Sequence, residues 1–247
     1  MRIGNYQFKP RLVTTILVLL LLPLLIRLGF WQLARADQKR AIIAAQNAKL
    51  ALPPKLIDGK ESGSEDLEYR RLQVSGTFLT DYQIFIDNKT HDSNVGYDVV
   101  TPLQIKNSNR VVLVDRGWVA QGASRQQLPR VDTPEHAATI TGIAKYHLKD
   151  VVSFGVGNRS NKGWPAVVRW IDIQALRSQT KMDLLPFMLL LDPKAPYGFV
   201  REWKFINMPP EKHISYAVQW FVMAAVLLVI YLVVNSKRRK EIELHDE

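Results

Sequence analysis

Apolar positions cluster at the two ends of this chain. One stretch runs from Leu12 to about Leu33 and another from Ile214 to Val234, and between them lies a charged middle. The second stretch is 21 residues without a charge, which at helical rise covers about 31 Å, the thickness of a bilayer's hydrocarbon core. In lipid, backbone N–H and C=O groups are satisfied only within the segment, so each stretch is predicted to be a helix crossing a membrane. Between the two the pattern changes. Ala34 to Leu50 is rich in Ala, Gln, Lys and Arg and reads as a juxtamembrane helix, stopped by Pro53-Pro54. Gly59 to Glu68 is a polar, acidic loop.

Short alternating or β-branched runs follow: Tyr69–Phe78 with a turn at Gly76, Gln83–Asp87, Tyr97–Ile105, Val111–Val119, Ala138–Ala144, Ala166–Ile171 and Phe187–Leu191. Asp172–Thr180 reads as a short helix with Asp172 as its N-cap. Strands at this spacing predict a compact antiparallel sheet or partial barrel. The fold class is therefore a membrane protein of α+β type, with two transmembrane helices flanking one mainly antiparallel β extracytoplasmic domain. Its parts are residues 1–11, a span over 12–33, the domain over 34–212 with a helix at 34–50, a span over 213–234 and a tail over 235–247.

Charge sets the expected orientation. Arg2, Lys9 and Arg11 precede the first span, and Lys237, Arg238, Arg239 and Lys240 follow the second. Both flanks are short and basic, which places them in the cytoplasm and the long middle on the far side. A cleaved signal peptide is the competing reading of the first span, since Ala34-Arg35-Ala36 resembles a cleavage site. Against it, the apolar run continues past Arg27 through Leu28-Gly29-Phe30-Trp31. The 11-residue N-terminus leaves no room for a transit peptide, favouring a bacterial inner membrane. The net charge of +10 suits anionic lipid headgroups, and this topology puts the bulk of the chain away from nucleic acid. The absence of cysteine excludes disulfides, thiolate metal sites and cysteine nucleophiles.

Catalytic groupings are nearly missing. None of His91, His136, His147, His213 and His245 pairs with another at i, i+3 or i, i+4, and there is no nucleophile elbow, P-loop or dinucleotide fingerprint. The two membrane boundaries do carry chemistry. Arg27, Trp31 and Arg35 sit at i, i+4 and i+8, one helical face with two cations and an aromatic ring. His213, Tyr216, Ala217 and Trp220 sit at i, i+3, i+4 and i+7 on the second span. A histidine there, beside aromatic rings and a small alanine, has the chemistry to ligate haem iron, and arginines at that depth can pair with propionates. The same residues also suit plain interfacial anchoring, where Trp, Tyr and His sit at headgroup level and Arg snorkels to phosphate.

Five blocks in order carry a resemblance. They are Arg27-Leu-Gly-Phe-Trp31-Gln-Leu-Ala-Arg35, then Tyr69-Arg70-Arg71-Leu72-x-Val74-x-Gly76-x-Phe78, then Gly96-Tyr97-Asp98-Val99-Val100-Thr101-Pro102-Leu103, then Val112-Leu113-Val114-Asp115-Arg116-Gly117-Trp118-Val119, and last Asn207 followed by His213-x-x-Tyr216-Ala217-x-x-Trp220-Phe221. Together they resemble the surfeit-locus (Shy-type) family of cytochrome c oxidase assembly factors. The resemblance implies an assembly factor rather than an enzyme, one that helps build the haem a and copper centre of a haem–copper oxidase. It implies haem a as a transient cofactor, with His213 as iron ligand by motif position. It implies the oxidase core subunit and haem a synthase as partners, beside the membrane lipid and the absence of nucleic acid already expected from the topology. Trp31 and Trp220 would flank the ring and Arg27 or Arg35 would neutralise a propionate. Tyr69 and Gly76 read as fold determinants, Gly117 as a turn or bulge residue, and Arg116 and Trp118 as sharing one sheet face. Val151 to Lys162 matches no signature and receives no function. A cofactor-free scaffold for an oxidase intermediate remains the alternative.

Overall fold

A computed structural model describes residues 2–3, 6–61, 66–122, 127–146, 163–203, 205 and 208–238. The predicted Val151–Lys162 loop lies outside them. In chain order the elements are β1 (Arg2–Ile3), β2 (Tyr6–Phe8), α1 (Leu12–Ala51), β3 (Lys55–Ile57), β4 (Arg71–Phe78), a 3-10 turn (Thr80–Tyr82), β5 (Ile84–His91), β6 (Asn94–Ile105), β7 (Arg110–Ala120), β8 (Ala138–Tyr146), β9 (Ala166–Val168), α2 (Ile173–Thr180), β10 (Asp183–Leu191), α3 (Pro210–Val234) and β11 (Ser236–Arg238). They form two compact units, Met1–Ala45 with Phe205–Glu247, and Gln46–Lys204.

In the first unit, α1 and α3 are long and apolar enough to cross a membrane. α1 has 40 residues, about 60 Å at helical rise, so the apolar stretch and the polar segment after it are one unbroken helix. Pro23 lies inside it, a substitution lipid-embedded helices tolerate. α3 begins with Pro at its first position, where the missing N–H costs nothing. Parts of both flanks form a small sheet. β2 pairs antiparallel with β1 and with β11, Ser236 opposite Phe8. The pattern of three-residue strands is too short to read before the chain ends are known to meet.

The second unit is a mixed eight-stranded sheet in the order β3-β4-β8-β10-β7-β6-β5-β9, and a β4–β6 pairing closes five of these strands into a ring. The partial barrel is thus closed. Its interior is built by alternate residues of all five ring strands, including Leu72, Val74 and Phe78, Leu103 and Ile105, Val112 and Val114, Ile140, and Phe187 and Leu189. Three pairings, β3–β4, β5–β9 and β7–β10, are parallel. β10 is buried on both faces, which is why Phe187–Leu191 reads as a continuous apolar run. α2 lies against β10 and buries Leu176, and its N-cap Asp172 accepts from the Ala175 amide at 2.9 Å.

One glycine reading changes and one holds. Gly76 is not a turn but the point where β4 pairs with both β8 and β6, opposite Ala138 and Ile105. A Cβ there would lie 2.1 Å from the Gln104 carbonyl oxygen, so ring closure requires its absence. Gly117, at φ +105°, is a bulge residue: Val100 faces Asp115 while Asp98 faces Trp118, leaving Arg116 and Gly117 opposite Val99. The extra residue reverses the alternation. Arg116 stays on the interior face with Val112 and Val114, and Trp118 turns to the face of Asp115 and Asp98, not to that of Arg116. There it is half-buried over His91, with its indole N–H donating to the Lys89 carbonyl at 3.3 Å.

Candidate functional site

α1 and α3 run antiparallel, and small residues set how closely they approach. α3 buries Pro210, His213, Ala217 and Ala224, and α1 buries Gly29 and Ala36 with Gln32 half-buried between them. Small side chains at such spacing let helix backbones pack tightly where no hydrophobic driving force exists. The Phe221 ring lies over Gly29, 2.5 Å from where a Cβ would stand, and meets Phe30 edge-on at 5.3 Å.

Polar contacts fasten both ends of this pair. At one end Thr15 Oγ1 lies 2.9 Å from Tyr231 Oη, and the buried Asn235 amide oxygen accepts from the Arg11 N–H at 2.9 Å and the Thr14 hydroxyl at 3.2 Å. At the other end His213 Nδ1 lies 2.8 Å from Gln32 Oε1, an amide oxygen that accepts from a protonated Nδ1. The imidazole is 8% exposed, and its Nε2 is buried without a hydrogen-bond partner. A ring protonated at Nδ1 carries its lone pair on Nε2. Burying that acceptor unpaired is costly, so the nitrogen is held available rather than satisfied.

The other residues singled out by spacing are placed differently. Arg27, Trp31 and Arg35 do share a face, but it is an exposed one, while Gly29, Gln32 and Ala36 face α3. Trp31 is 49% exposed, and the Arg35 guanidinium lies 5.6 Å from its ring centroid while donating to Gln38 Oε1 at 3.0 Å. Tyr216 is exposed and Trp220 half-buried. The structure thus brings His213 to Gln32, not to Trp31. The i, i+4, i+8 spacing of Arg27, Trp31 and Arg35 marks the face beside that of Gln32, so spacing alone does not single Gln32 out. The available signal was a lone amide at i+3 from a glycine and four residues before an alanine inside an apolar span.

A second constellation lies in the Gln46–Lys204 unit. Arg116, 1% exposed, donates from Nε to the Tyr197 carbonyl at 2.7 Å and from its terminal nitrogens to the Thr133 hydroxyl and the Asp132 carbonyl. Its guanidinium lies 4.9 Å from the Phe199 ring centroid and 5.5 Å from that of Phe78. Burial pulls it down to about 10, so it stays charged at neutral pH. Next to it, burial pushes the Asp115 carboxyl up to about 7, with Asp98 adding to the rise. The Gly117 amide, Lys89 and Lys145 oppose that rise; the amide donates to Asp115 at 3.0 Å. These groups tie the bulge to segment 197–200, where Phe199 N–H donates to the Arg116 carbonyl at 2.7 Å and Trp118 N–H to that of Val200 at 2.7 Å. Among the described residues, no three His, Asp or Glu side chains converge on a metal site.

The signature of the SURF1 family matches residues 19–225, from within α1 to within α3. A SURF1-like protein of Monosiga brevicollis is 27% identical over 225 residues, covering 85% of this chain and 83% of that protein. One from Rickettsia conorii is 26% identical over 234 residues, covering 91% and 92%. The cytochrome oxidase assembly protein SHY1 of Saccharomyces cerevisiae is 31% identical over 96 residues, covering 38% of this chain and 25% of that protein. A match that takes in both helices and the closed sheet between them leaves one assignment: this chain belongs to the SURF1 family.

Proposed function

We propose that this protein assists assembly of a haem–copper terminal oxidase, cytochrome c oxidase, by receiving haem a while the core subunit's active site matures. Membership of the SURF1 family and similarity to a yeast protein named for cytochrome oxidase assembly support the general role. The haem step rests on one observation, the buried and unpartnered Nε2 of His213 on a ring whose Nδ1 is already engaged. A neutral imidazole nitrogen of this kind fits haem iron. Haem a, when bound, would offer an iron centre to that nitrogen and two propionates to cationic side chains. His213 would hold the iron, with Tyr216 and Trp220 of the same helix as aromatic surface; Arg27, Trp31 and Arg35, on an exposed face of α1, are not placed beside that nitrogen. One ligating histidine at a helix start suits cargo that must be released.

In this reading the protein sits in a bacterial inner membrane with the β domain in the periplasm and both termini in the cytoplasm. The basic flanks and the antiparallel helix pair, whose ends meet in the β1-β2-β11 sheet, support that orientation. Its partners are the oxidase core subunit, haem a synthase and membrane lipid, and it performs no chemical step of its own.

The full chain, purified from cells making haem a, should carry haem absorption that His213→Ala abolishes. Unchanged haem content in the variant removes His213 from the role. A cofactor-free scaffold is favoured by one observation, that Arg27, Trp31 and Arg35 face away from His213. Co-purification of the core subunit without haem under every condition would support it.

A further inference from the structure

We infer that Gln32 is the positioning residue of the His213 site: its amide oxygen selects the Nδ1–H tautomer and thereby aims a lone pair at Nε2. This rests on the haem reading above and deepens it. His213 and Gln32 come from different helices and meet at 2.8 Å, inside a stripe otherwise made of Gly29, Ala36, Ala217 and Ala224. A long amide in a small-residue stripe keeps its place by what it bonds. The imidazole has two nitrogens and the structure satisfies only one of them. Were Nδ1 the acceptor, Nε2 would carry a buried, unpaired N–H and have no lone pair to give. An acceptor on Nδ1–H removes that choice, fixes the ring plane and makes Nε2 more electron-rich, which favours ferric over ferrous iron.

Two readouts test this in the full chain, one of them independent of haem. In haem-free protein labelled with ¹⁵N-histidine, at a pH where the ring is neutral, His213 should show the Nδ1–H tautomer in wild type and lose that preference in Gln32→Leu. In haem-loaded protein, Gln32→Leu should weaken retention on the order of 10–100-fold and raise the reduction potential. Gln32→Glu, which keeps length and acceptor, should retain haem and lower the potential. An Nε2–H tautomer in wild type overturns the inference. So does haem held through His213 whose retention and potential ignore both Gln32 variants. A wild-type protein that holds no haem overturns the underlying reading, and the positioning role with it.

Discussion

Thr15 and Tyr231 share a 2.9 Å hydroxyl contact across the antiparallel helix pair, about 25 Å along the axis from the contact between Gln32 and His213. That separation approaches the hydrocarbon thickness of a bilayer. The two helices are therefore pinned near both edges of the span, with small residues between the pins. Register along the pair, and with it the position of His213, depends on both contacts.

The hydroxyl pair is open to direct measurement. A double-mutant cycle of Thr15→Val with Tyr231→Phe, read by denaturation in mixed micelles, should give a coupling of about 0.6 kcal/mol, the typical value for interhelical hydrogen bonds in membranes. Zero coupling would mean that the contact does not help to set the register.

Ring closure at Gly76 should be intolerant of any side chain. With Gln104 O 2.1 Å from the Cβ position, Gly76→Ala forces the β4–β6 pairing apart. The expected cost is about 1–3 kcal/mol, seen as a lower melting temperature. Gly163→Ala is the control, because nothing lies within 4 Å of its Cβ position, and it should stay within about 0.5 kcal/mol of wild type.

Asp115 makes stability depend on pH. Its carboxyl rises from an ordinary 3.8 to about 7 in the folded state, so between those values the native protein binds more protons than the unfolded chain. The contribution of Asp115 to stability should be fully present below about 4, fall as pH climbs to about 7, and be lost above. The slope should not exceed about 1.4 kcal/mol per pH unit, the limit for one proton. Asp115→Asn should flatten the profile, measured by chemical denaturation from pH 4 to 8. A profile indifferent to the substitution would assign the slope to another group.

Arg116 should not be replaceable by lysine. The lysine ammonium lacks the planar fork that reaches the Tyr197 and Asp132 carbonyls and the Thr133 hydroxyl while lying against Phe199. Arg116→Lys should cost about 1–3 kcal/mol, the penalty for buried acceptors left unpaired. Limited proteolysis should show new cleavage near Asp132 and Tyr197 while the ring strands stay protected.

Much of this protein was legible before its tertiary structure. An apolar run of bilayer length has one solution in lipid, so the two helices follow from composition alone. Period-two alternation located the strands around Val74 and Ile140, β-branched runs those around Val99 and Val114, and Asp172 marked the start of α2. Local periodicity, however, reports which residues share a face and not what that face meets. Arg27, Trp31 and Arg35 form a face as expected, yet only packing against α3 decided that the neighbouring face, with Gly29, Gln32 and Ala36, is the buried one. A single bulge at Gly117 reversed the direction of Trp118, because alternation holds only while pairing stays in register. Gly76 looked like a turn until a second partner strand arrived beside it. Parallel pairings and the small sheet at the chain ends also depend on segments far apart in sequence. Near-neighbour sterics and solvation, which the chain carries locally, determined the elements; long-range contact decided their partners, and so placed the His213 nitrogen.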